Sequence, residues 1–441
     1  MRGTWRQLRS FDRCLRLLLL NQFGINLGCY LLMPYLANHL ADGLGMAAWT
    51  VGLVLGVRAL SDQGLFLIGG LLADRLGFKP LIMIGCALRT AGFAALGFVT
   101  ALPMLLAAAV ATGLAGALFG PAVRAYLAAE AGDRRIPAFA LFNVFYQAGV
   151  LIGPVLGLVL VGVSFRAVCL TAAAIFGVLT VLQARVLPAR PPDPPRQRGP
   201  GGVRVDCAEV LGNRAFLRFS LAMLGSHVLA AQIYLALPLQ AARELGDGGA
   251  VGSGALFALS AVVAVVGQVR VTGRLRQRWS AGRAIAVGLA LMATAFLPVA
   301  ATASGSGRND TGTAAALALL PVLAATALLT MGTVVAYPFE MDALVALSRD
   351  RLLATHYGLH NTLAGLGIAA GNLATGVLWE LGDRWATPAL SWLALTAVGM
   401  AGATAVALLA RSWPVGTAVP PGSLGSTGGT AAQHLDQRAV A

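Results

Sequence analysis

A carboxylate inside a long apolar stretch of chain needs a reason to be there, because an ionised side chain at the middle of a bilayer costs roughly 2.5 to 3.5 kcal/mol on insertion scales. Asp62 stands in such a stretch, four residues after Arg58, so the two share a helix face and can pair. A carboxylate balanced between desolvation, which favours its neutral form, and a neighbouring guanidinium, which favours its ionised form, can take up and release a proton. Asp62 and Arg58 are therefore read both as a structural pair and as a candidate proton-coupling pair. Glu340 and Asp342, shortly after Pro338, are the other proton candidates, read either as embedded acids or as residues at the cytoplasmic water boundary. Arg89 and Arg124 also fall within apolar runs. Among uncharged polar groups, Gln22, Asn26, Tyr30, Asn143, Gln147, His227, Gln232 and Tyr234 either line a polar cavity or bond one helix to another.

Other chemistries find little support. Cys14, Cys29, Cys86, Cys169 and Cys207 make no CxxC pair, which argues against a disulfide framework or a zinc site. His356 and His360, at i and i+4, share a face but lack a third ligand at metal spacing, so no metal is expected. A nucleotide-binding loop and a nucleophile constellation are also missing. No cofactor and no catalytic residue are expected.

The elements that must position these groups follow from composition. Of 441 residues, 57% are hydrophobic and 11% charged, with a mean hydropathy of +0.76, far outside a soluble domain. Such a chain needs the lipid bilayer as its partner. The apolar runs are long, rich in Ala, Leu, Val and Gly, and do not alternate, so helices rather than a barrel satisfy the backbone. Spans of about 20 residues fall near 15–38, 48–72, 80–100, 103–128, 137–162, 165–187, 215–240, 250–270, 282–301, 314–342, 357–379 and 388–410. The first, Cys14 to Leu36, is too long for the core of a signal peptide. The expected fold class is all-α: a polytopic membrane protein of twelve transmembrane helices.

The net charge of +14 is not gathered into a patch or arm that would suit nucleic acid. It lies in short segments between the spans. With both termini cytoplasmic, the outer loops hold only Arg166, Arg243, Arg308 and Arg384, and Arg58, Arg89 and Arg124 sit within spans, which leaves 25 of the 32 Lys and Arg at the inner face. The proline-rich run Pro188-Ala-Arg-Pro-Pro-Asp-Pro-Pro195 divides six spans from six. Residues 1–187 are read as one bundle, 188–213 as a cytoplasmic linker, 214–411 as a second bundle, and 412–441, rich in Gly, Ser, Thr and Pro, as a disordered tail. The halves echo each other. Tyr30-Leu-Leu-Met-Pro34 matches Tyr234-Leu-Ala-Leu-Pro238 at an offset of 204, and Gly85 and Phe93 match Gly288 and Phe296 at 203. Two parallel six-helix repeats suit an alternating-access transporter with its site between them.

The turn after the second span reads Gly70-Leu-Leu-Ala-Asp74-Arg75-Leu-Gly77-Phe-Lys79-Pro80. It resembles the loop signature of the major facilitator superfamily, Gly-x3-Asp-Arg-x2-Gly-x-Lys, with a shorter spacing before Gly77. The resemblance implies that Gly70, Asp74, Arg75, Gly77 and Lys79, with Arg124 as partner, latch the halves in one state. The corresponding loop of the second half, from Gly267 to Arg278, lacks the acid. Gly149-Val-Leu-Ile-Gly153-Pro154-Val-Leu-Gly157 resembles the antiporter signature of the drug/proton exporters in this superfamily, without the earlier glycine expected near Ala140; close helix packing explains the same residues equally well.

Taken together, these motifs and the runs Val51–Phe93, Gly116–Arg124 and Gln232–Pro238 resemble the twelve-span drug/proton antiporter branch. That resemblance implies a monomeric transporter in a bacterial plasma membrane. It would export small hydrophobic or cationic molecules in exchange for protons, around a cavity ringed by the first, fourth, seventh and tenth spans. An uptake permease for a small nutrient stays open as the alternative, and a polytopic enzyme or sensor as a remote one. The acid that drug exporters often carry in the first span is replaced by Asn21, Gln22 and Asn26.

Overall fold

The computed structural model describes residues 12–131, 135–187, 208–267, 278–303, 312–348 and 353–411, and among them every regular element is helical. Twelve helices are long and apolar enough to cross a membrane. The first six are α1 (Arg13–Asn38, running on into the π turn His39–Gly43), α2 (Ala48–Ala59 and Phe66–Leu76, joined by the π turn Leu60–Gly64), α3 (Phe78–Leu96), α4 (Leu102–Ala131), α5 (Arg135–Val161) and α6 (Phe165–Val186). The second six are α7 (Arg214–Ala222, Leu224–Ala231 and Ala236–Leu245), α8 (Gly249–Gly267), α9 (Ala281–Thr294 and Leu297–Thr302), α10 (Gly312–Ser348), α11 (Leu353–Arg384) and α12 (Leu390–Arg411). The run Pro188–Pro195 and residues 412–441, expected as linker and tail, lie outside the described residues. Residues 208–212, assigned to the linker, are helical.

Three spans depart from unbroken helices, two of them because of proline. Pro238 has no N–H for the carbonyl of Tyr234, and its ring clashes with that carbonyl, so α7 opens into a turn at 232–235 and restarts at Ala236. Pro298 stands in the same relation to Thr294, where α9 breaks before restarting at Leu297. In α2 the interruption is an inserted residue that widens one turn around Asp62. Elsewhere local signals end the helices. Ser164 and Asn213 cap α6 and α7 by accepting from the N–H groups of Ala167 and Phe216, each at 3.1 Å. Gly77 takes φ 86° and ψ 161°, backbone that only glycine adopts readily, so the α2–α3 turn needs it.

Each half packs its own core, and the matched residues do matched work. A Cβ on Gly85 of α3 would stand 2.9 Å from the Ala115 carbonyl oxygen of α4, and one on Gly288 of α9 would stand 2.9 Å from the Gly332 carbonyl oxygen of α10. Phe93 packs edge-on against Phe176 of α6 with centroids 5.4 Å apart, while Phe296 stacks on Trp392 of α12 at 6.0 Å. Both phenylalanines are buried. Glycine thus lets the third helix of each half close on the fourth, and the aromatic one face further on anchors the sixth. The two six-helix bundles are pseudo-symmetric.

The halves meet along two seams. Glycines run the length of the α2–α11 contact: a Cβ on Gly56 would stand 2.9 Å from the Ala369 carbonyl oxygen, one on Gly365 would stand 2.7 Å from the Gly64 nitrogen, and Gly52 and Gly376 admit the opposing backbone more closely still. On the other side, α1 and α5 face α7 and α8. Asn38, at the far end of α1, donates to the carbonyl oxygen of Gly249 (3.3 Å) and to Ser253 Oγ (3.0 Å) of α8.

Candidate functional site

Three phenols meet at the centre of the α1–α7 seam. Tyr30 Oη of α1 lies 3.3 Å from Tyr234 Oη in the opened turn of α7, and 3.5 Å from Tyr146 Oη of α5. Tyr30 and Tyr234 are the pair matched across the repeats, so two equivalent residues touch each other, as happens only where an internal two-fold passes between them. Phe257 of α8 closes the group, its ring centroid 5.3 Å from that of Tyr234. Apolar faces with a few hydroxyls at their edges suit organic cations and amphiphilic molecules.

The glycine-proline motif of α5 puts α1 where this requires. A Cβ on Gly149 would stand 2.7 Å from Asn26 Cβ, one on Gly153 2.8 Å from Tyr30 Cβ, and one on Gly157 2.6 Å from Tyr35 Cε2. Tyr35 then donates to the Pro154 carbonyl oxygen at 2.5 Å. Of the other expected cavity residues, Gln22 and Asn26 are buried and joined within α1, Asn26 Nδ2 donating to the Gln22 carbonyl oxygen at 2.7 Å. Gln147 is half-buried beside Tyr146, and the Asn143 side chain lies outside the described residues. Gln232 donates to Asn372 Oδ1 of α11 at 3.3 Å. At the far end, a cavity of about 520 Å³ between the halves is lined by Asn38, Asp42, Phe165, Arg243 and their neighbours.

Two charged clusters flank this seam, one in each half. In the first, Asp62 sits on the π turn of α2. A Cβ on Gly116 of α4 would collide with its carboxylate and stand 2.7 Å from Arg89 Nη2, so the acid and this guanidinium share the space that the glycine leaves. Arg89 is buried, donates to Cys29 Sγ and lies over the Phe176 ring at 5.5 Å. Arg58, one turn before Asp62, keeps a buried Nε that no protein group satisfies. The π turn itself faces the other half: Thr362 of α11 donates its hydroxyl to the Gly64 carbonyl oxygen at 3.0 Å.

In the second half, Glu340 Oε1 of α10 lies 2.9 Å from His360 Nε2 of α11 and 3.2 Å from His227 Nε2 of α7. His360 Nδ1 is 3.1 Å from Ser220 Oγ. His227 therefore belongs to this cluster rather than to the phenol group. His356 is turned elsewhere, 3.3 Å from Asn213 Nδ2 and edge-on to Phe216, so the i, i+4 pair of histidines does not act together. Asp342 is exposed.

The loop motif is described only in part. Gly70, Asp74 and Arg75 lie in the last turns of α2, with their side chains outside the described residues. Lys79 Nζ donates to the Ala184 carbonyl oxygen of α6 at 3.1 Å, a bond within the first half, and Arg124 is exposed. Tyr146 and Asn372 are missing from the residues picked out by sequence, although the rule that found their partners Tyr30 and Gln232, a polar side chain inside an apolar run, applies to both; the partner of Thr362 is a backbone carbonyl, which that rule does not reach.

Twelve spanning helices in two related bundles, with polar and charged groups gathered along the seam between them, define a membrane transporter and not an enzyme. The chain belongs to the Major Facilitator Superfamily, whose family model matches residues 18–372. It is 48% identical over 392 residues to an uncharacterized MFS-type transporter of Mycobacterium tuberculosis, covering 89% of this chain and 92% of the relative. It is 28% identical over 397 residues to the multidrug resistance protein MdtH of Salmonella typhimurium, covering 90% and 92%. Solved structures of the same fold include the POT family transporter PepTSo (TM-score 0.72, 14% identity, 91% of this chain and 98% of that one) and the nucleoside transporter NupG (TM-score 0.72, 14% identity, 89% and 99%).

Proposed function

We propose that this protein exports small hydrophobic or cationic molecules across a bacterial plasma membrane in exchange for protons, as a monomer with both termini cytoplasmic, by rocking its two halves about the tyrosine group. The observation that carries the reading is the position of Asp62. Its π turn touches Arg89 and Gly116 inside its own half and Thr362 and Gly365 in the other, so any tilt of α11 against α2 changes the surroundings of the carboxylate. Irregular turns of this kind concentrate at functional positions. A proton taken up by Asp62 on one side of the membrane and released on the other is worth about 2.3 kcal/mol per 100 mV of potential. Arg58 stands one turn before the carboxylate, and Arg89 meets it at Gly116. Of the other acids considered, Glu340 is engaged by two histidines and Asp342 is exposed. The likeness to MdtH, named for multidrug resistance, supports export over uptake, as does the α5 motif.

The test is accumulation of a fluorescent hydrophobic cation in inverted membrane vesicles. A proton gradient is expected to drive accumulation by the wild type; Asp62→Asn should abolish the driven component and retain counterflow exchange. Accumulation indifferent to the gradient, or equal in the wild type and Asp62→Asn, overturns the reading.

A further inference from the structure

The second charged cluster brings a third group, Glu340, and a second histidine, His227, to His360, which the sequence places far apart. Among the described residues, His227, Glu340 and His360 are the group of three whose ligand atoms converge, and they come from three different helices. The sides of the triangle formed by His227 Nε2, Glu340 Oε1 and His360 Nε2 measure 2.9, 3.2 and 3.3 Å. Tetrahedral zinc with bonds of about 2.0 to 2.1 Å holds its ligand atoms about 3.3 Å apart, so an ion fits over this triangle with small adjustments. Two imidazoles and one carboxylate are a ligand set that zinc uses at sites keeping a fourth position open.

The surroundings are also those of a metal site. His360 presents Nε2 to the cluster and Nδ1 to Ser220 Oγ at 3.1 Å, the second contact that fixes a ligating ring in orientation and tautomer. Phe219 stacks against the His360 ring at 6.4 Å and holds it from the side. Glu340 and His360 have side chains only 4% and 2% exposed, whereas His227 is 23% exposed and marks the way in.

We propose that His227, Glu340 and His360 bind one divalent transition-metal ion of the zinc class, with Ser220 as the residue that positions His360. Three helices of the second half, α7, α10 and α11, are tied together when it binds. Neither imidazole needs to lose a net proton: each ring carries its N–H on Nδ1 and offers Nε2 to the ion, where without metal Nε2–H donates to Glu340.

The test uses the purified full chain in detergent, free of any histidine tag. Co²⁺ should give the intense visible absorption of a tetrahedral nitrogen–oxygen site, and Zn²⁺, titrated against a chromophoric chelator, should abolish it at one ion per chain. His227→Ala, His360→Ala and Glu340→Gln are each expected to weaken Zn²⁺ binding by at least about tenfold, and Ser220→Ala by about tenfold, the lower end of the range for such supporting groups. His356→Ala should bind as the wild type does. Zinc should also raise the melting temperature of the wild type and not that of His227→Ala, a variant at the most exposed of the three positions and so the least able to disturb the fold. Failure of the wild type to bind, or equal binding by the wild type and His227→Ala, overturns the proposal.

Discussion

The two charged clusters occupy opposite halves of a duplicated fold, and they are built on opposite principles. At the offset of 204 that relates Tyr30 to Tyr234, the places of Arg58 and Asp62 are taken by Val262 and Val266, and at the offset of 203 that relates Gly85 to Gly288 the place of Arg89 is taken by Met292. The place of His227 is taken by Phe23, and the matched Gly85–Ala115 and Gly288–Gly332 contacts, which relate α4 to α10 at an offset of 217, put Val123 in the place of Glu340. The repeat has kept the packing glycines and the aromatic anchors in both halves and left each cluster in one half only. In the first half a lone carboxylate sits beside guanidiniums on a turn that touches the opposite half at Thr362 and Gly365. In the second half the carboxylate is held at 2.9 and 3.2 Å by two imidazoles within a single bundle. Duplication supplies a symmetric scaffold, and each cluster departs from it in one half.

That contrast can be broken by substitution. Removing the first carboxylate leaves the buried Arg89 without its acid, but Asp62 itself is only partly buried, so Asp62→Asn is expected to have the largest effect at about 3 kcal/mol of stability, the lower end for a broken pair. Chemical unfolding in mixed micelles measures it, and a loss below that of Glu340→Gln would erase the distinction between the clusters. Gly113→Ala comes next. Its Cβ would lie 2.6 Å from Ser61 Cβ and closer still to the Arg58 carbonyl oxygen, backbone of the turn that bears Asp62, for a cost of about 1 to 3 kcal/mol and a matching loss of driven transport.

In metal-free buffer Glu340→Gln should be milder, about 1 kcal/mol, because the amide oxygen still accepts from one ring. Its melting curve compared with that of Asp62→Asn sharpens the contrast directly. The smallest expected change is Thr362→Val, about 0.6 kcal/mol for one hydrogen bond in the membrane. Since that bond joins the halves, its signature should be kinetic, a changed rate of counterflow at nearly unchanged stability.

Much of this was legible in the chain. Apolar length located all twelve spans, because satisfying the backbone in lipid leaves few alternatives to helices. Pro238 and Pro298 stand at the breaks in α7 and α9, whereas Pro34, Pro121, Pro154, Pro321 and Pro338 lie inside continuous helices, so the position of a proline alone does not mark a break. The matched tyrosines and glycines disclosed the duplication. The π turn of α2 left no signal, since its extra residue is accommodated by Gly113 and Gly365 on other helices. The partners of His360 leave no signal for a similar reason. Its neighbour on the helix face, His356, is the obvious partner by spacing, yet its true partners lie 133 residues before it and 20 before it, on α7 and α10.

By itself, then, the sequence determined the solvent, the number of spanning helices, the division into two halves and the family, all of which depend on local apolarity and short motifs. Only the tertiary structure decided which polar groups meet: that Asp62 faces Arg89 across a glycine, that two equivalent tyrosines touch on the internal axis, and that an acid and two histidines converge. Helix spacing specifies which side chains share a face. Which face looks at which depends on how twelve helices pack at once, and no single segment carries that information.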